Sequence, residues 1–205
     1  DALPILSRGD MATAGRMVDA AAKAAGYRFP KKYHGSRSAK PFFRFDPKKQ
    51  TENSLGRGYY FTNFRPLAER YSNGMIIPAY LKMNNPFVLD WITDQGREDG
   101  VEKGRAIGLD IYAGNWIRGN ADENTEKMKR AGYDGVIVFH HESNSLPEHE
   151  EIVVFSPSQI KSADVATYDD QGNLIPLSRR FDDAVPDIRY RLSQDIELGL
   201  VTPET

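Results

Sequence analysis

Tyr33-His34-Gly35-Ser36 and, after a basic loop, Gly56-Arg57-Gly58-Tyr59-Tyr60-Phe61-Thr62 decide how the chain is read. Both are short, aromatic-rich and bounded by turn formers, the composition of β-strands. A third such segment lies far downstream in Glu150-Glu151-Ile152-Val153-Val154-Phe155, with Glu151 opening the strand and Ser156-Pro157 ending it. Three strands from distant parts of the chain thus each carry a polar side chain, His34, Tyr60 and Glu151, suited to holding a ligand.

Working outward, Asp10 suits the N-cap of a helix with Ala14, Val18 and Ala22 on one face, stopped by Gly26 and Pro30. The first strand is expected over 31–36 and the second over 58–62, with a loop carrying Phe42, Phe43 and Phe45 between them. A helix from Arg65 to Tyr71, capped by Thr62 or Asn63, should end at Gly74. Strands are expected over 75–83 and 86–90, then weakly patterned helix and loop from Ile92 to Gly119. A polar helix over 124–131 leads through Gly132 into an apolar strand at 135–139, and 140–149 reads as a polar connection. From Gln171 the pattern predicts an extended tail or a wrap over the domain. Strands and helices do not alternate regularly, so the predicted class is α+β. The expected organisation is an N-terminal helical segment (1–30), a catalytic domain (31–165) and a C-terminal tail or linker (166–205).

A chain of 205 residues with 40% hydrophobic content, ten Phe and ten Tyr can bury one real core. Mean hydropathy is −0.58, and no apolar run approaches the ~18 residues of a membrane helix. The chain has no cysteine, which excludes disulfides, thiolate metal ligands and a Cys nucleophile. Residues 1–10 lack a basic region followed by an apolar one, so no signal peptide is expected. The start at Asp1 points to a segment of a longer protein.

Net charge is −2, yet Arg28 to Lys49 holds eight basic residues against Asp46 alone, a local charge of +7. Such runs are ordinarily solvated surface, but one that surrounds His34 suits a phosphate-bearing ligand. Phe42, Phe43 and Phe45 interleave with it as base-stacking platforms would, whereas the overall charge is wrong for a dedicated nucleic-acid binder. Tyr60 and Tyr71 stand eleven positions apart, one on a strand and one on the following helix, a spacing that lets two rings sandwich a planar group. Core packing is the ordinary role of such a pair, as hydrogen bonding within the fold is of a lone histidine.

Taken jointly, these motifs resemble the histidine–tyrosine–glutamate ADP-ribosyltransferases, the group of diphtheria toxin and the poly-ADP-ribose polymerases. Asn53-Ser54-Leu55-Gly56-Arg57-Gly58, Pro86-Phe87-Val88-Leu89, Gly132-Tyr133-Asp134-Gly135-Val136-Ile137-Val138 and Pro157-Ser158-Gln159-Ile160-Lys161-Ser162-Ala163 are more closely similar to the ADP-ribosyltransferase domains of phage and prophage polyvalent proteins. Pro186-Asp187-Ile188-Arg189-Tyr190 resembles a segment that follows such domains. The resemblance implies a split antiparallel β-sandwich with peripheral helices and NAD in the cleft. It implies a toxin-like mono-ADP-ribosyltransferase that breaks the nicotinamide–ribose bond and passes ADP-ribose to a macromolecular acceptor, a protein in the first instance. It needs no metal and no membrane, and acts in the cytoplasm, where NAD is available. Catalytic roles fall on Glu151, His34 and Tyr60. In the implied cofactor site His34 holds a ribose hydroxyl, Gly35 the nicotinamide amide, Tyr60 and Tyr71 the ring faces, and Glu151 the nicotinamide-ribose 2′-OH. Ser36, Arg37, Gly58 and Thr62 complete the set.

The chain departs from the family in two places. Ala68 stands eight after Tyr60, where the polymerases carry a serine for the nicotinamide amide, so Gly35 takes more of that role. His149, two before Glu151, replaces the Glu or Gln of arginine-modifying transferases, leaving His149, Glu148 and Glu150 as alternatives for positioning the acceptor. Two rival readings belong to other classes. His140, His141, Glu142, His149, Glu150 and Glu151 are metal-compatible within twelve positions, as a metal-dependent hydrolase requires, although the helical His-Glu-x-x-His pattern is missing. A non-catalytic NAD-binding or interaction module is the other. On the transferase reading, activity should tolerate loss of both His140 and His141.

Overall fold

The computed structural model describes residues 9–189 apart from 28–29, 39, 113–115 and 183. Its elements run α1 (Met11–Ala24), β1 (Lys32–Ser36), β2 (Thr51–Asn53), β3 (Gly56–Thr62), α2 (Arg65–Arg70), β4 (Met75–Leu81), β5 (Pro86–Asp90), α3 (Asp94–Ala106), β6 (Asp110–Tyr112), β7 (Trp116–Arg118), α4 (Ala121–Arg130), β8 (Gly135–His140), β9 (His149–Val154) and β10 (Ile160–Ser162). The result is a mixed sheet protein with few helices.

Eight strands pair in the order β10-β4-β1-β3-β9-β8-β5, with β2 folded onto β3, while β6 and β7 form a separate ribbon. The pairing is antiparallel except for β5 on β8, which is parallel, so the all-antiparallel expectation is corrected there. The connection between those two strands includes α3 and α4, the crossover a parallel pair requires.

The ladder between β1 and β3 consists of one pair, Tyr33↔Thr62, whereas β1 matches β4 over five consecutive residues. The sheet is therefore continuous in pairing yet nearly severed at its middle. Side chains alternate across a sheet and paired residues share a face. The register therefore sets Tyr60, Thr62, Val153, Glu151, Val138 and His140 on one face, and Lys32, Phe61, Ile152 and Glu150 on the other.

Among the described residues all four α-helices pack on the first face. Val18 and Ala22 of α1 meet Tyr80, Ala68 of α2 lies over Gly35, Gly100 of α3 over Leu89, and Thr125 of α4 over Gly56. The second face buries Phe61, Ile77 and Ile152 beneath Phe45 of the 42–46 loop and Ile188 of the chain after Ser162. That C-terminal segment is strapped down by Lys161, fully buried, whose Nζ donates to the carbonyls of Val185 (2.7 Å) and Asp187 (3.0 Å). Arg189 pairs with Asp187 and lies 3.8 Å over the Phe43 ring.

Several local expectations shift for identifiable reasons. Asp10 caps α1 as its spacing predicts. Neither Thr62 nor Asn63 caps α2, because Thr62 Oγ1 accepts from the Phe64 N–H and Asn63 Oδ1 from the Glu150 N–H. The polar helix begins at Ala121, capped by Asn120 rather than at Asn124. Glu151 is the third residue of its strand rather than the first, since β9 starts at His149.

Lys32 is 2% exposed and donates to Glu150 Oε2 at 2.5 Å, two strands away across the end of β3. Removing the carboxylate leaves a buried ammonium unpaired, so Glu150→Leu should lower stability by about 3–5 kcal/mol. Lys32→Met leaves Glu150 with access to water and should cost about 1 kcal/mol or less. Urea unfolding of both variants checks the asymmetry, and equal losses would contradict it.

Candidate active site

The interrupted β1–β3 ladder opens a cleft of about 680 Å³, lined from both faces of the sheet. Tyr33, His34, Gly35, Ser36 and Arg37 line one wall; Tyr60, Phe61, Thr62 and Glu151 the other; and Leu67, Ala68 and Tyr71 of the α2 region close one side. Phe42, Arg44, Phe45, Asp46 and Lys49 of the preceding loop form the remaining rim.

His34 spans the gap where main-chain pairing stops. Its Nδ1 lies 2.8 Å from the Tyr60 carbonyl oxygen. A carbonyl only accepts, so Nδ1 carries the proton. Burial holds the imidazole below the ordinary histidine range, with the bond to Tyr60 opposing in part. The ring is thus neutral near pH 7 and Nε2 is left as an acceptor, suited to a hydroxyl donor. Phe45 (5.1 Å, edge-on) and Phe61 (5.3 Å) fix the ring plane.

Gly35 has two structural reasons. A Cβ there would sit 2.0 Å from the Ala68 carbonyl oxygen, so the missing side chain makes room for α2 rather than for a ligand as expected from sequence. Its backbone direction follows from the neighbours. Pro78, opposite Tyr33 on β4, has no N–H, so Tyr33 turns its peptide groups towards β3. Ser36 turns the other way, its carbonyl accepting from Asn73 N–H at 3.1 Å. Alternation then aims Gly35 N–H and C=O at the β3 side, where the ladder has ended. A planar amide placed there meets one donor and one acceptor.

Tyr60 donates its hydroxyl to the Gly56 carbonyl at 2.6 Å. Burial first, then the negative charge of Glu151, pushes its phenol far above the ordinary range, so it stays protonated and offers its ring to the cleft. Tyr71 follows the last turn of α2, and is 58% exposed. Glu151 reaches the cleft beside Thr62, its register partner, with its side chain 30% exposed.

The structure therefore brings His34, Gly35, Ser36, Arg37, Tyr60, Thr62, Tyr71 and Glu151 to one cleft. Gly58 is the exception and is corrected: it is buried and does not line the cleft, and its missing Cβ makes room for Val153 of the paired β9, whose Cγ1 it would meet at 2.4 Å. Of the basic run, Arg37, Arg44 and Lys49 reach the cleft; Lys32 is consumed by Glu150, and Arg28 lies outside the described residues. Phe45, Asn53 and Leu67 also line it, without a sequence signal beyond the aromatic character of the loop.

The members of the histidine-rich cluster point in different directions. His141 Nδ1 turns to the Glu142 carbonyl at 2.7 Å, and Glu150 projects from the opposite face onto Lys32. Among the described residues no group of three or more His, Asp or Glu is placed to hold a metal ion. His140 and His149, however, stack with ring centroids 4.5 Å apart, and His140 Nε2 is 3.4 Å from Glu151 Oε2.

In comparisons with known proteins, the family model described as ADP-Ribosyltransferase in polyvalent proteins matches residues 29–169. No curated protein and no solved structure matches.

Burial also holds His149 below the ordinary range, so His34 and His149 are both neutral in the fold near neutrality. The unfolded chain protonates them as pH falls through about 6.5, and the folded chain does so only lower. Stability should therefore drop as pH is lowered from about 7.5 to about 5.5, and His34→Gln with His149→Gln should lose less over that window than the parent. Urea midpoints at the two pH values measure this; identical slopes in parent and double variant would contradict it.

Proposed function

We propose, from the premise that the chain belongs to the ADP-ribosyltransferases of polyvalent proteins, that it cleaves NAD at the nicotinamide–ribose bond and transfers single ADP-ribose units to a protein acceptor. The observation that carries this reading is the convergence, in the gap between β1 and β3, of the neutral His34 imidazole, the rings of Tyr60 and Tyr71 and the carboxylate of Glu151, drawn from distant segments.

Each group has a role its chemistry permits. The nicotinamide ring enters between Tyr60 and Tyr71, and its carboxamide pairs with the N–H and C=O of Gly35. His34 Nε2 accepts a ribose hydroxyl, while Arg37, Arg44 and Lys49 supply positive charge for the pyrophosphate. As the C1′–N bond lengthens, positive charge develops on the ribose, and the bonding pair leaves with neutral nicotinamide. The Glu151 carboxylate, accepting the 2′-OH, stabilises that oxocarbenium-like state more than it does the ground state. An acceptor nucleophile then bonds to C1′.

The register favours one of the three alternatives for acceptor positioning. His149 shares a face with Glu151, whereas Glu150 is spent on Lys32 beneath the sheet, and Glu148 lies outside the strand in an exposed bend. A guanidinium acceptor would find no second carboxylate from β9 beside Glu151, which supports an acceptor other than arginine.

Glu151→Gln keeps the shape and removes the charge. It should lower NAD hydrolysis and transfer by about 10²–10³-fold while NAD affinity stays within a few-fold; wild-type turnover would refute the assignment. Tyr71→Ala, at an exposed position, should weaken NAD binding roughly tenfold without loss of stability, and Tyr71→Phe should not. Calorimetric titration beside thermal unfolding reads both quantities, and equal affinity in the two variants would count against ring stacking.

A further inference from the structure

Glu151 is not alone on its face of the sheet. β8 and β9 pair in register from Gly135↔Val154 to His140↔His149, and Glu151 lies opposite Val138. Alternation therefore turns His140 and His149 to the same side as Glu151, at the open end of the ladder. The rings lie 5° from parallel with centroids 4.5 Å apart. His149 Nδ1 is 2.9 Å from the Pro147 carbonyl, which only accepts, so this nitrogen donates and the ring plane is pinned to the backbone. His140, its side chain 13% exposed, is stacked on that plate with Nε2 3.4 Å from Glu151 Oε2.

We propose that His140 is a positioning residue for Glu151, its Nε2–H holding the carboxylate at the angle from which it meets the ribose. The inference rests on the reading of Glu151 as the transferase carboxylate. The contact lies outside hydrogen-bond geometry as it stands, and because an ionised carboxylate only accepts, a bond closed between the two takes its hydrogen from His140. A glutamate has three side-chain torsions to fix, and a carboxylate displaced by ~1 Å can cost a reaction ~10²-fold. The 3.4 Å separation is longer than a closed hydrogen bond, and the role requires it to shorten when the carboxylate engages substrate. The titratable groups that the register sets on the face of Glu151 include Tyr33 from β1, Tyr60 from β3, whose phenol proton is committed to Gly56, His140 from β8, and His149 from β9 itself. Of these His140 is the donor within reach. Its neighbour His141 projects elsewhere and donates to Glu142. On this role the expectation from sequence that both histidines are dispensable is kept for His141 and replaced for His140.

The test is steady-state NAD hydrolysis by the chain carrying His140→Phe, His140→Gln, His140→Met or His141→Ala. Phe keeps a flat ring on the His149 plate without an N–H, and Gln places an amide N–H at about the reach of the imidazole Nε2. His140→Phe should lower kcat by about 10–100-fold with KM for NAD within about threefold, the signature of a group that matters in the transition state. His140→Gln should recover most of that loss, and His141→Ala should match the parent. Circular dichroism and thermal unfolding verify the folds, and Met replaces Phe in the comparison if the Phe variant does not fold. Parental kcat in His140→Phe, or an equal loss in His140→Gln, would overturn the role of His140 and leave that of Glu151 standing. Absence of NAD turnover in the parent would overturn the transferase reading and this role with it.

Discussion

One hydrogen bond stands where a ladder should be. Between β1 and β3 the main chain pairs only at Tyr33↔Thr62, and the next link is the His34 imidazole on the Tyr60 carbonyl. Replacing a backbone rung by a ring moves the two strands apart without leaving the Tyr60 carbonyl unsatisfied, which a buried polar group cannot tolerate cheaply. The gap exposes peptide groups of Gly35 on one side and the Tyr60 ring on the other. The same bond fixes the histidine tautomer, so the feature that splits the sheet also prepares an acceptor inside the split.

The rest of the fold holds that gap open. On one face the end of α2 is pressed onto Gly35 so closely that no other residue fits, which carries Tyr71 to the mouth of the cleft. On the other face, Phe45 packs against His34, and the loop that bears it is held by a strap continuing to Arg189. Ile188 N–H donates to the Phe43 carbonyl at 2.9 Å and Ser162 N–H to the Ile188 carbonyl at 2.9 Å, so residues beyond the matched family segment close the core under the cleft. The buried Lys161 ammonium, satisfied by two strap carbonyls, ties β10 to the same segment.

What could be read from sequence follows a physical division. Strands with aromatic or β-branched runs and helices with a punctuated start, such as Asp10 to Gly26, announce themselves locally. α3 does not, because its buried face is made of Gly100 and Gly104, whose packing against Leu89 and Ile111 leaves no apolar periodicity to detect. β2 is three exposed residues paired to β3 in a hairpin, too short and polar to show a strand pattern. In the site, His34, Tyr60, Tyr71 and Glu151 were legible as residue types at suggestive spacings. Strand register, a non-local property, was not. It is register that separates Glu151 from Glu150, moves Gly58 out of the cleft, and brings His140 from an apparent metal cluster to the side of the carboxylate.

The central claim is that the gap between β1 and β3 is the NAD site. A crystal structure with a non-hydrolysable NAD analogue tests it most directly. The account predicts the nicotinamide ring between Tyr60 and Tyr71, its carboxamide on the Gly35 peptide groups, and the adjoining ribose between His34 Nε2 and the Glu151 carboxylate. An analogue bound in the groove lined by Lys82, Asp134 and Gln159, or with its ribose away from Glu151, would contradict it.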